Sequence, residues 1–206
     1  MVQQTFTLTA PAASKEVSLD DLFPISVERY EAMIRAGAIT EDDSIELIHG
    51  KLVRKMGKNQ AHIIVSELLL QSMQFRLPPG WFLSTENPIL TGDSLPEPDA
   101  RVTRGSPRDY AGRRVTAADI GLIIEVSDST LDADRGVKLS LYAEAGIPIY
   151  WIINIPDRQI EVYTQPQRGE GAPFYASLAI YPADSAVPLL LDGGEAAALP
   201  VADLLP

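Results

Sequence analysis

The stretch that decides the fold is LIIEVSDSTLDADRGVKLSLYAEAGIPIYWII, from Leu122 to Ile153. With Ile120 and Gly121 in front of it, IGLIIEVS is apolar on both faces for four residues, as a central strand covered by helices must be. This strand ends at Glu125. DSTLDAD reads as a loop, RGVKLSLYAEAG as a helix stopped at Gly146, and IYWIIN as a second central strand. Two apolar strands joined through a helix predict a sheet with helices on its faces.

The flanking segments extend that sheet. Downstream, Pro156-Asp157 makes a turn, RQIEVYT alternates cleanly, and FYASLAIY reads as a hairpin strand after the RGEGAP loop. The tail after Tyr181 is rich in Ala, Leu, Pro and Gly and suggests one short strand at PLLLD. Upstream, WFLST, NPILT and DARVT read as short β segments punctuated by Gly92 and by Pro96 to Pro98. NQAHIIVSELLLQSMQFRL carries a helical stripe of Ile64, Val65, Leu68, Leu69 and Met73, ended by Pro78-Pro79-Gly80. SIELIHGKLVRK is a β-hairpin turning at His49-Gly50. Ser26 is the N-cap of a helix through SVERYEAMIRAG, with Gly37 as its stop. Residues 1–18 are polar, small and unpatterned, a loose arm. Residues 19–206 read as one α+β domain with α/β-like character, a mixed β-sheet flanked by helices.

Composition narrows the chemistry. The chain has no Cys, which excludes thiolate zinc, iron–sulfur clusters, disulfide scaffolds and cysteine nucleophiles, and its only histidines are His49 and His62. Any metal is therefore held mainly by oxygen, which favours magnesium, manganese or calcium. A hydrophobic fraction of 46% beside 22% charged residues is that of a folded domain. No apolar run approaches the ~18 residues that cross a bilayer, and the N-terminal residues lack a signal-peptide pattern, so no membrane association and a cytoplasmic location are expected. A net charge of −11 repels phosphate backbones, so any nucleic-acid contact must be local or metal-mediated.

Glu125 is the strongest oddity, a carboxylate directly after Leu122, Ile123 and Ile124. Either the strand has reached solvent there, or the carboxylate meets a cation, a proton or several donors, because an uncompensated buried charge is heavily penalised. Asp99, in LPEPDARV, is a turn former or a site residue. One strand starting with Asp99 and another ending with Glu125 can bring both carboxylates to one sheet edge, where they can share a divalent ion. Lys138 lies in the helix that follows the Glu125 strand. It is either a solvated charge or an ammonium folded back beside two carboxylates, with Tyr142 at i+4 on the same face. Glu46 alternates with Ile45 and Leu47 and reads as the exposed side of the hairpin. His62 sits one residue off the apolar stripe of its helix, and His49 is an exposed turn residue. The densest cationic region is Arg101, Arg104, Arg108, Arg113 and Arg114, a phosphate track or a solvated loop.

Together these segments resemble the Uma-two family of restriction-endonuclease-like proteins, within the PD-(D/E)XK nuclease superfamily. The resemblance covers residues 22–165 and is carried by IELIHGKLV, AHIIVSELLLQSM, PEPDARV, the Leu122–Ile153 stretch and IEVY. It implies a restriction-endonuclease-like core in which Asp99 and Glu125 ligate the metal, Glu46 completes the acidic cluster and His62 adds a ligand or a phosphate contact. The superfamily pattern puts lysine two residues after the Glu. Ser127 stands there, and the resemblance implies that the lysine has moved to Lys138. The expected activity is magnesium- or manganese-dependent hydrolysis of DNA, with Tyr142, Arg113 and Arg114 as candidate substrate contacts and a homodimer as a possible assembly. Two other readings remain open at this point: a catalytically silent nuclease fold used for binding or assembly, and a metal-dependent hydrolase of a small phosphate compound.

Overall fold

The computed structural model describes residues 22–206, so the arm expected over 1–18 lies outside the described residues. Helix α1 (Val27–Arg35) begins where Ser26 accepts a hydrogen bond from the Arg29 N–H. Strands β1 (Ile45–Ile48) and β2 (Lys51–Arg54) form the expected hairpin. Its turn residues His49 and Gly50 both take positive φ, 47° and 67°, the combination a two-residue hairpin loop needs.

Helix α2 (Gln60–Met73) is capped by Asn59, whose side chain accepts from the His62 N–H. Its buried line is His62, Val65, Leu69 and Met73, which differs from the expected stripe. Ile64 is 39% exposed, and His62 lies on the packed face rather than beside it. The helix also ends before the proline pair. Arg76 N–H bonds Met73 O in a turn and Phe75 is exposed, so nothing apolar holds a further helical turn against the sheet.

Six strands form the main sheet in the order β3-β4-β5-β6-β7-β8. They are β3 (Trp81–Thr85), β4 (Ala100–Arg104), β5 (Ile120–Ser127), β6 (Ile149–Asn154), β7 (Gln159–Gln167) and β8 (Phe174–Pro182). Only β5 and β6 pair in parallel, so the sheet is mixed and the fold is α+β. NPILT adds no strand. Pro88 offers no N–H, and the segment makes only isolated bridges, Leu90 with Thr116 and Thr91 with Ser94.

The crossover from β5 to β6 is helical from Leu131, earlier than expected. It consists of a turn of α-helix (Leu131–Ala133), a π-helical stretch (Asp134–Lys138) and a further α-helix (Leu139–Glu144), together called α3 here. The segment expected to be a loop joins the helix because Asp134 accepts from Thr130 Oγ1 and from Ser127 Oγ, which ties the first turn to the end of β5.

The sheet has a core on each face. On one, Val65, Leu69 and Met73 of α2 meet Val102, Leu122, Ile124, Val126, Trp151 and Ile153. The tail completes this core with two strands rather than one: β9 (Ala186–Leu191) and β10 (Gly194–Pro200) pair as a hairpin and bury Val187, Leu189 and Leu199. On the other face Leu141 and Tyr142 of α3 pack on Ile123, Tyr150 and Ile152, with Tyr163 and Tyr175 stacked around Tyr150. Among the described residues no helix is long and apolar enough to cross a membrane.

Candidate active site

Asp99 directly precedes β4, and β4 runs antiparallel to β5 with Ala100 opposite Ile124, so Asp99 and Glu125 fall side by side. Their hydrogen bonds interlock. The Asp99 N–H donates to Glu125 Oε2 at 3.2 Å, and the Val126 N–H donates to Asp99 Oδ2 at 2.8 Å. Both acids line a cleft of about 730 Å³ shared with Glu46, Lys58, His62, Asp134 and Lys138.

Glu125 does not reach solvent. It is 4% exposed, because β5 runs on, buried, to Ser127. Tyr142 Oη donates to its Oε1 at 2.7 Å, and the Lys138 ammonium lies 3.5 Å from the same oxygen. Burial pushes the Glu125 carboxyl up to about 8, with Asp99 and Asp134 adding to the rise and Lys138 opposing it. Asp99 goes the other way. Burial works against its charge, but the hydrogen bond and charge of His62, the Val126 N–H and Lys58 outweigh that and hold it below the ordinary carboxylate range. Two adjacent acids with opposed shifts make this cleft the candidate chemical site.

Lys138 is brought to these acids by α3. Its Nζ is 2.8 Å from Glu46 Oε2, and Glu46, at 4% exposure, belongs to the interior rather than to the open side of the hairpin. Burial opposes the ammonium, yet the charges of Glu125 and Glu46 more than compensate, so Lys138 stays protonated above its ordinary value. The π-helical stretch ends at Lys138. Such wide turns insert a residue into a helix and re-aim the side chains beyond it, and they recur at functional sites. Ser127, two residues after Glu125 on the same strand, ties Asp134, the first residue of that stretch. Asp134 itself is raised by burial, with Ser127 and Thr130 opposing.

His62 Nε2 is 3.0 Å from Asp99 Oδ2, which makes it a partner of the carboxylate. The structure does not bring the remaining candidates to the cleft wall. Tyr142 is fully buried behind Glu125, where it positions the carboxylate. Arg113 forks onto Asp119 at 2.7 and 2.8 Å, Arg114 pairs with Glu31, and Arg104 with Asp192. His49, as expected, is exposed, near Asp93 and Glu144.

Sequence reasoning missed Lys58, whose Nζ lies 3.1 Å from Asp99 Oδ1 and 2.9 Å from Glu86. The signal was present: KLVRKMGK places Lys51, Arg54, Lys55 and Lys58 within eight positions. Arg54, Lys55 and Lys58 line the cleft. The basic side chains at the cleft's edge therefore lie on β2 and the turn after it, not on the 101–114 segment, and they are interleaved with acids, Lys55 being paired with Glu97. Among the described residues no three Asp, Glu or His side chains converge closely enough to hold a metal ion by themselves. The side chains that could hold one are the Asp99 and Glu125 pair.

A family model described as "Uma2: Putative restriction endonuclease" matches residues 27–196. The chain belongs to the Uma2 family. A solved structure similar to it, described as a "putative nuclease" from Anabaena variabilis, shares 19% sequence identity, with a TM-score of 0.66 over 88% of this chain and 97% of that one. This likeness shows the shared fold. No curated protein matches the Uma2 chain.

Proposed function

We propose that this Uma2 protein is a divalent-metal-dependent endonuclease that hydrolyses DNA phosphodiester bonds in the cleft between α2, α3 and the β1–β2 hairpin. The observation that carries the reading is the buried ammonium of Lys138 held between Glu46 and Glu125 beside the Asp99 carboxylate. Burying a cation among acids is costly, and burying two acids against each other is more so. A structural role would be served as well by apolar side chains of similar volume.

A hard cation fits this donor set. Asp99 and Glu125 offer oxygen ligands, and the Glu125 carboxyl, raised by burial, is one that a bound cation would return to its charged, ligating form. Magnesium or manganese held there would neutralise the scissile phosphate and acidify a water. Asp99, already ionised, anchors the site. Its His62 partner fixes which way the carboxylate faces. Lys138 has three donors and no basic lone pair while protonated, so it orients the attacking water and stabilises the charge that builds on phosphorus-bound oxygen, and Glu46 keeps it aimed. Arg54, which makes no ion pair among the described residues, supplies a phosphate contact that the chain's overall charge of −11 denies to most of the surface, and Lys55 and Lys58 can add to it only by exchanging Glu97, Glu86 and Asp99 for phosphate.

Nicking of supercoiled plasmid in magnesium or manganese tests this. Wild type should cut. Asp99→Asn should lose both cutting and most of the calorimetric heat of manganese binding, while Lys138→Ala should keep the heat and lose a factor of ~100 or more in turnover. Full cutting by Lys138→Ala, or undiminished manganese binding in both Asp99→Asn and Glu125→Gln, would overturn the reading.

A further inference from the structure

A second cavity, of about 240 Å³, is separate from the cleft and lies between Glu31 of α1 and the loops on either side of β4. Arg101 of β4 lines it. This side chain is 6% exposed, and its Nη1 donates to Pro88 O at 2.9 Å. Its Nε is buried with no acceptor, and among the described residues no carboxylate lies within ion-pair distance of the guanidinium. Ala100 and Val102 face the α2 core, so Arg101 and Thr103 share the other face of the strand. Thr103 Oγ1 is likewise buried without a partner.

A buried cation normally acquires a counter-charge. Here the neighbouring acids are already engaged. Asp119 accepts both arms of Arg113 and the Thr116 N–H, and Glu31 is paired with Arg114 and Arg35. Three guanidinium groups thus line the cavity with two committed carboxylates near them. Burial lowers the Arg101 guanidinium from its ordinary value, with Tyr110 and Asp119 offsetting only part of that. The rest of the lining includes Leu90, Leu95 and Val115, and the Tyr110 ring, which stacks under Arg113. A planar guanidinium fork suits a carboxylate or phosphate head, and apolar walls suit a compact body behind it.

We propose that this cavity is a binding site for a small organic oxyanion, a carboxylate or phosphate group on a compact apolar or aromatic body, with Arg101 as its buried counter-ion and Arg114 at its mouth. The site is independent of the nuclease cleft, and its occupant is a ligand rather than the nucleic-acid substrate. Its volume of about 240 Å³ suits a molecule of roughly ten heavy atoms.

The test is calorimetric titration of the full chain, in EDTA, with phenyl phosphate, benzoate and inorganic phosphate. One equivalent of phenyl phosphate or benzoate should bind. Inorganic phosphate should bind at least ~10-fold more weakly, because it leaves the apolar wall uncovered. Arg101→Met should weaken binding at least ~10-fold. Should that variant not fold, Arg114→Glu, at the 40%-exposed mouth, puts a carboxylate against the incoming anion and should produce a comparable loss. Asp99→Asn should bind the probes as wild type does. Absence of binding to wild type at 10 mM probe (about the weakest affinity worth assigning to a site) would overturn the proposal. So would wild-type affinity in folded Arg101→Met or Arg114→Glu, or loss of binding in Asp99→Asn.

Discussion

Replacing Glu125 by Gln should make the metal-free protein more stable at neutral pH while removing the proposed metal site. The Glu125 carboxyl rises from 4.5 in the unfolded chain to about 8 in the fold. Between those values the unfolded chain has released the proton and the folded one has kept it, so the unfolded state binds fewer protons and stability falls as pH rises. At pH 7 the accumulated cost is about 3 kcal/mol, and each further pH unit up to the folded value adds up to ~1.4 kcal/mol. The amide has no charge to lose. It does forfeit one acceptor, since the Asp99 N–H at 3.2 Å faces the oxygen that an amide nitrogen can replace, which costs about 1 kcal/mol. The net gain at pH 7 is therefore about 2 kcal/mol, and it should shrink to nothing or reverse near pH 5. Urea unfolding in EDTA from pH 4.5 to 8.5 reads this directly, as a midpoint difference that grows with pH while the slope m stays fixed. Added manganese should then stabilise wild type and leave Glu125→Gln unmoved. A stability difference independent of pH would refute the argument, because it would mean that Glu125 titrates alike in both states.

Arg54→Ala should reduce the salt slope of log DNA affinity by about 1, whereas Lys55→Ala, Lys58→Ala, Arg113→Ala and Arg114→Ala should each change it less, because Glu97, the Glu86 and Asp99 pair, Asp119 and Glu31 already hold those cations; a larger drop in Arg113→Ala or Arg114→Ala than in Arg54→Ala would move the DNA track to the 101–114 segment. Ser127→Ala should release Asp134 and loosen the wide helical turn that presents Lys138, lowering turnover on plasmid several-fold with manganese affinity unchanged; a parallel loss of manganese affinity would instead make Ser127 part of the metal site. Glu161 is held down at about 2 by Arg135, Asn154 and Tyr163 despite its burial. The stability that Glu161→Gln loses relative to wild type should thus be constant above pH 4.5 and vanish as pH falls through about 2, by urea midpoints; a gap that persisted at pH 2 would show that the carboxylate charge is not what Arg135 stabilises.

The legible parts of this fold are those where one face of an element meets one neighbour. The Leu122–Ile153 stretch announces its two strands because both faces of β5 and β6 are covered, and the β1–β2 turn announces itself because His49-Gly50 must both take left-handed backbone. The parts that stay hidden depend on partners distant in sequence. Ile64 looks like core until α2 is placed on a sheet whose contact line runs through His62 and Val65. Glu46 looks like the outer side of a hairpin until Lys138, ninety-two residues away, is folded against it. The tail hairpin gives little signal because β9 and β10 bury only alternate residues of a small-residue sequence, and Leu189 and Leu199 show their purpose only beneath the main sheet. Lys58 is hidden for a different reason. Its basic neighbours are spread along a strand and a turn, and only the hairpin's placement at the cleft gathers them.

The proposed role of Lys138 depends on how β5 and α3 are tied together. A lysine at position 127 would leave β5 on the α3 face, the same face from which Glu125 meets Tyr142. A serine there is short enough to let α3 settle close, and its hydroxyl holds Asp134 at the start of the wide turn. The turn ends at Lys138, so the helix that the serine anchors is the one that returns the ammonium to within 3.5 Å of Glu125. The strand residue and the helix residue are thus two ends of one device. The proposed chemistry asks for a positive charge at a point in space, and any backbone that can place it there will serve provided it is anchored to do so. A spacing rule written along β5 would not find Lys138, while the distances around Glu125 do.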